Sequence, residues 1–196
     1  MKKIYMIVLL GFIPALAISQ TTYFVSPDTK VTLSGTSTLH DWTSNVNEVE
    51  GNVEIKEGFI KKGKIKNSKA ISSVVLTIPV ESIKSERGAT MDGKTHRALK
   101  YETNPNIYVK FTENEITSLD GDTFLINALG TLNLAGTEKK VNLEVSGTAV
   151  NDNTYAFKGS YKLNMKDYDM VPPSAMFGQI VTGPEVTVNF ELMVSK

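Results

Sequence analysis

The chain has 196 residues, with 21 basic and 21 acidic side chains, 41% apolar content and no cysteine. Disulfide scaffolds, thiolate zinc fingers and thiol catalysis are excluded, and without any long Lys/Arg run there is no surface suited to a polyanion, so nucleic acid is not an expected partner. The size suits one globular domain rather than several.

The N-terminus reads as a leader. Met1-Lys2-Lys3 is a short basic start, and Ile4 to Ala17 is an apolar stretch that ends in small residues, the pattern of a secretory signal peptide. Cleavage after Ala15-Leu16-Ala17 or after Ala17-Ile18-Ser19 fits; the second divides the chain into a signal peptide over 1–19 and a single domain over 20–196. A retained membrane anchor is the competing reading, but 14 residues at helical rise reach only about 21 Å, short of the ~30 Å hydrocarbon core. No cysteine is present to be acylated. Without Lys2 and Lys3 the mature chain carries 19 basic against 21 acidic residues, a net charge of −2, and is expected to be periplasmic or secreted, with no stable membrane span.

From Val31 onward the apolar residues alternate, the period of strands with one buried face. Val31, Leu33, Gly35, Ser37 and Leu39 share one parity, and Val49, Gly51, Val53 and Ile55 make a second row. Val74, Leu76, Ile78 and Val80 form a third, and Ile107, Val109 and Phe111 a fourth. After Asp120-Gly121, Phe124 to Leu134 is apolar on both parities around Gly130, which predicts a bulge or bend. Val141 to Ala149 and Tyr155 to Met165 form a hairpin about the turn-forming Asn151-Asp152-Asn153. Val186, Val188, Phe190, Leu192 and Val194 complete eight strands. Pro79 cannot donate to a ladder and implies a bulge or an unpaired stretch there.

Two segments interrupt this pattern. Gly88 to Tyr101 predicts a loop and about two turns of helix, ending before Asn104-Pro105. Lys166 to Pro184, with Pro172-Pro173, Gly178 and Gly183 around the apolar Ala175-Met176-Phe177, reads as a long binding or lid loop. Eight antiparallel strands with short turns fit a closed barrel or a sandwich.

Catalytic chemistry is sparse. The only histidines are His40 and His96, without ligand spacing; a third metal ligand would have to be guessed, and a turn at His40-Asp41 with Trp42 packed across a barrel mouth accounts for the first of them. Neither a nucleophile elbow, a phosphate loop nor a dinucleotide fingerprint occurs. The carboxylate pairs Asp167/Asp169 and Asp120/Asp122 lie in turn contexts, where Asp hydrogen-bonds its own backbone. No enzyme activity, cofactor or metal is expected.

The chain resembles the YceI-like family in several motifs taken in order. They are Ser82-Ile83; Met91-Asp92, Lys94, His96-Arg97 and Leu99; Pro105, Ile107, Val109 and Phe111; Gly130-Thr131-Leu132, Leu134, Gly136, Lys139 and Val141; then Leu163-Asn164-Met165, Asp167-Tyr168, Pro172-Pro173, Gly178 and Gly183. The chain departs from many members at Asp92-Gly93-Lys94-Thr95, where Arg-Asp precedes the histidine, and Thr38 to Trp42 resembles only a branch of the family. The resemblance implies an all-β fold: an eight-stranded antiparallel lipocalin-like barrel, with one short helix and a long loop near its ends, that holds a long isoprenoid-like amphiphile in an elongated cavity. The side chains then expected to line that cavity are Leu39, Trp42, Val53, Ile55, Val74, Leu76, Ile78, Val80, Met91, Leu99, Ile107, Val109, Phe111, Leu143, Val145, Phe157, Tyr161, Leu163, Met176, Phe177, Val188 and Phe190. Lys94, His96, Arg97 and Lys100 are candidates to meet a pyrophosphate or quinone head group.

Two other readings share the alternation. In an outer-membrane barrel the apolar row would face lipid, yet the aromatic residues form no two girdles. In a protein-binding barrel the core would be filled; glycine within the apolar rows, at Gly35, Gly51, Gly147 and Gly159, favours room inside instead. Assembly as a homodimer is compatible with the sequence.

Overall fold

The computed structural model describes residues 20–196, so the signal-peptide reading lies outside the described residues. The chain runs β1 (Gln20–Val25), β2 (Lys30–Ser37), β3 (Trp42–Val46), β4 (Glu50–Lys56), β5 (Ile60–Lys61), β6 (Lys64–Ile65), β7 (Ile71–Pro79) and β8 (Ile83–Ser85) into the helix α1 (Ala89–Ala98). It continues through β9 (Asn106–Asp120), β10 (Thr123–Leu134), β11 (Thr137–Asn151), β12 (Thr154–Asn164), β13 (Ser174–Ala175) and β14 (Ile180–Ser195).

Eight antiparallel strands close a ring in the order β1-β4-β7-β9-β10-β11-β12-β14, and β14 returns to β1 through Phe24↔Ser195 and Val25↔Val194. Closure leaves this ring with no unpaired sheet edge. The first strand differs from the expectation. The row beginning at Val31 is β2, and the ring member is β1, one turn earlier; both lie on the same edge of β14 and are separated by a break over Ser26 to Thr29. Beyond the break β2 leads a side arm, β2-β3-β8, so the barrel opens out at one end, called here the upper end.

Local signals explain the other irregularities. Pro79 takes the last rung of β7, opposite Asn106, where its missing N–H costs no interior ladder bond. Register shifts fall at Leu125/Ile126 and Leu129/Gly130, in the segment whose two-sided apolar pattern predicts a bulge. The helix spans Ala89–Ala98, with Asp92 in its first turn and His96 and Arg97 in its last, which suits the helix dipole at both ends. Asp92 also accepts the backbone N–H of Ser85 at 2.7 Å, tying the helix to β8.

Side chains sort by direction across the wall. Outward positions carry charge, including the cross-strand pairs Lys158–Glu191 at 3.0 Å and Lys162–Glu185 at 2.8 Å, while the apolar rows point inward. This is the reverse of a barrel that faces lipid. Among the described residues no helix is long and apolar enough to cross a membrane.

The lower end is sealed. The β5–β6 hairpin carries Phe59 beneath the barrel, edge-on to Phe124 at 5.3 Å, and Tyr23 meets Tyr155 edge-on at 5.2 Å. Such pairs contribute about 0.5–1.5 kcal/mol each beyond the area they bury. Tyr23, Phe59 and Phe124 are buried, and the cluster continues through Val53, Ile55, Ala70, Ile71 and Ile116.

Candidate functional site

The upper barrel is open inside. A cavity of about 260 Å³ runs from the rim to the aromatic floor. That is roughly twenty times the ~10–15 Å³ that one water molecule requires, so the interior is not a filled core.

Its wall is built by inward positions on every side. β3 supplies Trp42, β4 Val53, β7 Val74, Leu76 and Ile78, and β9 Ile107, Val109 and Phe111. β11 adds Leu143 and Val145, β12 adds Phe157, Tyr161 and Leu163, and β14 adds Val188 and Phe190. The helix lies over the mouth and presents Met91, Lys94, Thr95 and Ala98, a stripe at helical spacing, followed by Leu99. The stripe has a cation and a hydroxyl in its middle, and this weakens its apolar signal in the sequence.

Five residues of the sequence-derived lining set do not line the wall. Strand β2 ends at Ser37, whose hydroxyl accepts the backbone N–H groups of Leu39 at 3.3 Å and His40 at 3.2 Å, so Leu39 sits exposed at a turn tip. Met176 and Phe177 take left-handed backbone, φ 50° and 55°, ahead of Gly178 at φ 87°, and this turn carries both side chains outward into solvent. Ile55 is packed in the floor cluster below the cavity, and Val80 is packed in a 3₁₀ turn past the end of β7.

Of the four head-group candidates, Lys94 alone reaches the wall. The imidazole of His96 contacts the carbonyl of Ile83 at 3.2 Å and lies against Tyr101, whereas Arg97 and Lys100 are exposed. His40 is held separately, its Nδ1 at 3.1 Å from the carbonyl of Asp41, while Trp42 donates its indole N–H to the carbonyl of Thr36 at 3.1 Å. Among the described residues no three His, Asp or Glu side chains gather where a metal would need them.

Of the glycines expected to leave room inside, Gly35, Gly147 and Gly159 face aromatic rings, as does Gly130, whereas Gly51 sits at φ 140° against the Val75 carbonyl. Gly35 lies opposite Trp42, Gly130 opposite Phe111, Gly147 opposite Phe124 and Gly159 opposite Phe190. A Cβ at Gly35, Gly130, Gly147 or Gly159 would stand 2.5, 2.6, 2.3 or 2.6 Å, respectively, from the facing ring. The space that each glycine leaves is taken by an aromatic ring lying back against the next strand. Around the lumen, Trp42, Phe111 and Phe190 therefore lie back against the wall, whereas Phe124 fills the floor.

Asn114 is a cavity-lining side chain that the alternation hides. The inward parity of β9 runs Ile107, Val109, Phe111 and then shifts by one at the bulge opposite Gly130, so the next inward residues are Asn114 and Ile116. Asn114 lines the cavity near its floor, is 7% exposed, and its Nδ2 has no hydrogen-bond partner. A buried amide left in this state costs about 1–3 kcal/mol.

The sequence matches the YceI-like domain over residues 21–194. The chain belongs to the YceI-like family. Its fold is shared by Burkholderia cenocepacia BcnA, with a TM-score of 0.65 at 18% identity, covering 86% of this chain and 98% of that one. A polyisoprenoid binding domain from Saccharophagus degradans, implicated in plant cell wall breakdown, gives 0.65 at 12% identity and covers 89% and 97%. The Campylobacter jejuni YceI protein gives 0.60 at 16% identity and covers 100% and 99%. No curated protein sequence matches the chain.

Proposed function

We propose that this YceI-like barrel binds a long isoprenoid-like amphiphile, of polyprenyl or isoprenoid quinone type, and carries or stores it in the periplasm or outside the cell. The observation that supports this reading most is the open lumen, walled by aliphatic and aromatic side chains, closed below and entered under a helix. Membership of the family and the structural likeness to a polyisoprenoid binding domain support the ligand class, and the leader-like N-terminus supports export. The protein holds its guest and does not convert it.

The energetics permit tight retention. Burial contributes about 0.8 kcal/mol per methylene. At roughly 0.3 kcal/mol per heavy atom, a ligand of some forty carbons reaches about 12 kcal/mol, near nanomolar. Such a lipid co-purifies. Native mass spectrometry of the mature protein prepared without detergent is expected to show an added mass of several hundred daltons, with isoprene fragmentation after extraction. A clean apo mass that stays unshifted after incubation with isoprenoid quinones or polyprenyl phosphates would refute the proposal.

A further inference from the structure

We infer that the guest enters polar end first, and that the Asn114 carboxamide at the floor donates a hydrogen bond to an acceptor oxygen on that end, such as a ring carbonyl. This rests on the lipid-binding reading and deepens it by naming the ligand's buried end.

Across the β9–β10 ladder Asn114 faces Ala128, and the neighbouring wall is Phe111, Ile126 and Val145. The next inward residue, Ile116, belongs to the floor cluster, and its backbone N–H is taken by the carbonyl of Ser68, in the segment that seals the end. The amide is more than nine-tenths buried, and its Nδ2 has no partner from the protein. A hydrocarbon tail reaching the floor would leave the donor unsatisfied, and leucine, of similar size, would serve such a tail better. An acceptor oxygen at that depth removes the penalty.

The mouth cannot serve the same group. Between Ile107, near the rim, and Asn114 the strand advances about 23 Å at ~3.3 Å per residue, or roughly 17 Å along the axis at the usual barrel tilt. One head group therefore meets either Lys94 or Asn114. The Lys94 stem covers apolar wall at the mouth, where a long aliphatic side chain can keep its ammonium in water. A tail leaving past Met91 and Lys94 meets mostly carbon, whereas the floor offers a buried donor.

The test compares two probes, menaquinone-4, which carries ring carbonyls on an isoprenoid tail, and squalene, an isoprenoid hydrocarbon with none. Dissociation constants are read from native mass spectrometry titrations of wild type, Asn114→Leu and Lys94→Met. Wild type is expected to prefer the quinone by about tenfold or more. Asn114→Leu is expected to weaken the quinone about tenfold and leave squalene unchanged, while Lys94→Met keeps the preference. Thermal melts of the apo variants check folding, and Asn114→Leu should melt no lower than wild type because it removes an unpaired buried amide. If Asn114→Leu keeps the preference, or Lys94→Met abolishes it, the polar end lies at the mouth and the inference falls. If wild type binds neither probe, the lipid-binding reading itself falls.

Discussion

Gly147 shows how strongly one missing methyl group is specified. Its ideal Cβ would lie 2.3 Å from the Phe124 ring, and Phe124 is 1% exposed with Phe59, Tyr155 and Phe157 around it, so the ring has nowhere to retreat. Gly147→Ala should lower stability by about 2–3 kcal/mol, read as a reduced urea midpoint with an unchanged slope. Gly147 was legible in the sequence as a member of an apolar row, but its ring partner was not, because the pairing of Gly147 with Phe124 is set by register between strands. Asn114 escaped for a related reason: it stands on the polar parity of Ile107, Val109 and Phe111 until a bulge, visible only in the paired ladder, turns it inward.

At the scale of elements, the β5–β6 hairpin is short yet closes the barrel. Phe59, 3% exposed, contacts Phe124 and lies 6.0 Å from the Tyr155 ring. Phe59→Ala should cost about 3–5 kcal/mol, measurable by chemical denaturation, and should open the floor to solvent. The alternating rows of β11, β12 and β14 were legible because one buried face over many residues leaves a period of two, and β9 was legible only over Ile107 to Phe111, before its parity shifts. Strands β1 and β3 were not. β1 reads Gln-Thr-Thr-Tyr-Phe-Val without alternation, and the inward row of β3 is Trp42, Ser44 and Val46, with a buried polar residue in its centre. The loop bearing Phe177 was legible as a long excursion, but its outward turn depends on two successive left-handed residues that no composition rule anticipates.

For the whole molecule, the floor also sets the response to alkali. Burial, reinforced by a hydrogen bond at 3.1 Å to Glu57, pushes the Tyr23 phenol up to about 12, and burial does the same for Tyr155. In the unfolded chain both titrate near 10. The folded state holds these protons more tightly, so the stabilisation is complete below pH 10 and is lost as pH rises towards 12. Denaturant midpoints measured from pH 8 to 12 should be flat at first and then fall; a flat profile throughout would contradict this assignment. Glu57 has the opposite sign. The Lys196 ammonium at 2.6 Å, and then the Tyr23 hydroxyl, hold its carboxyl below the usual range, a stabilisation present at neutral pH and lost on acidification.

The closed floor also makes the barrel a sheath and not a tunnel. Nothing can be threaded through it: a guest must back out along its whole length by the way it came, and water refills the space behind it through the same opening. Release is then an extraction, slow unless a receiving surface takes up the tail as it emerges, so residence time should lengthen with every added isoprene unit while the entry rate hardly changes. In such a sheath, exchange of any guest takes place at the rim, and the wall sets only how long that guest is held.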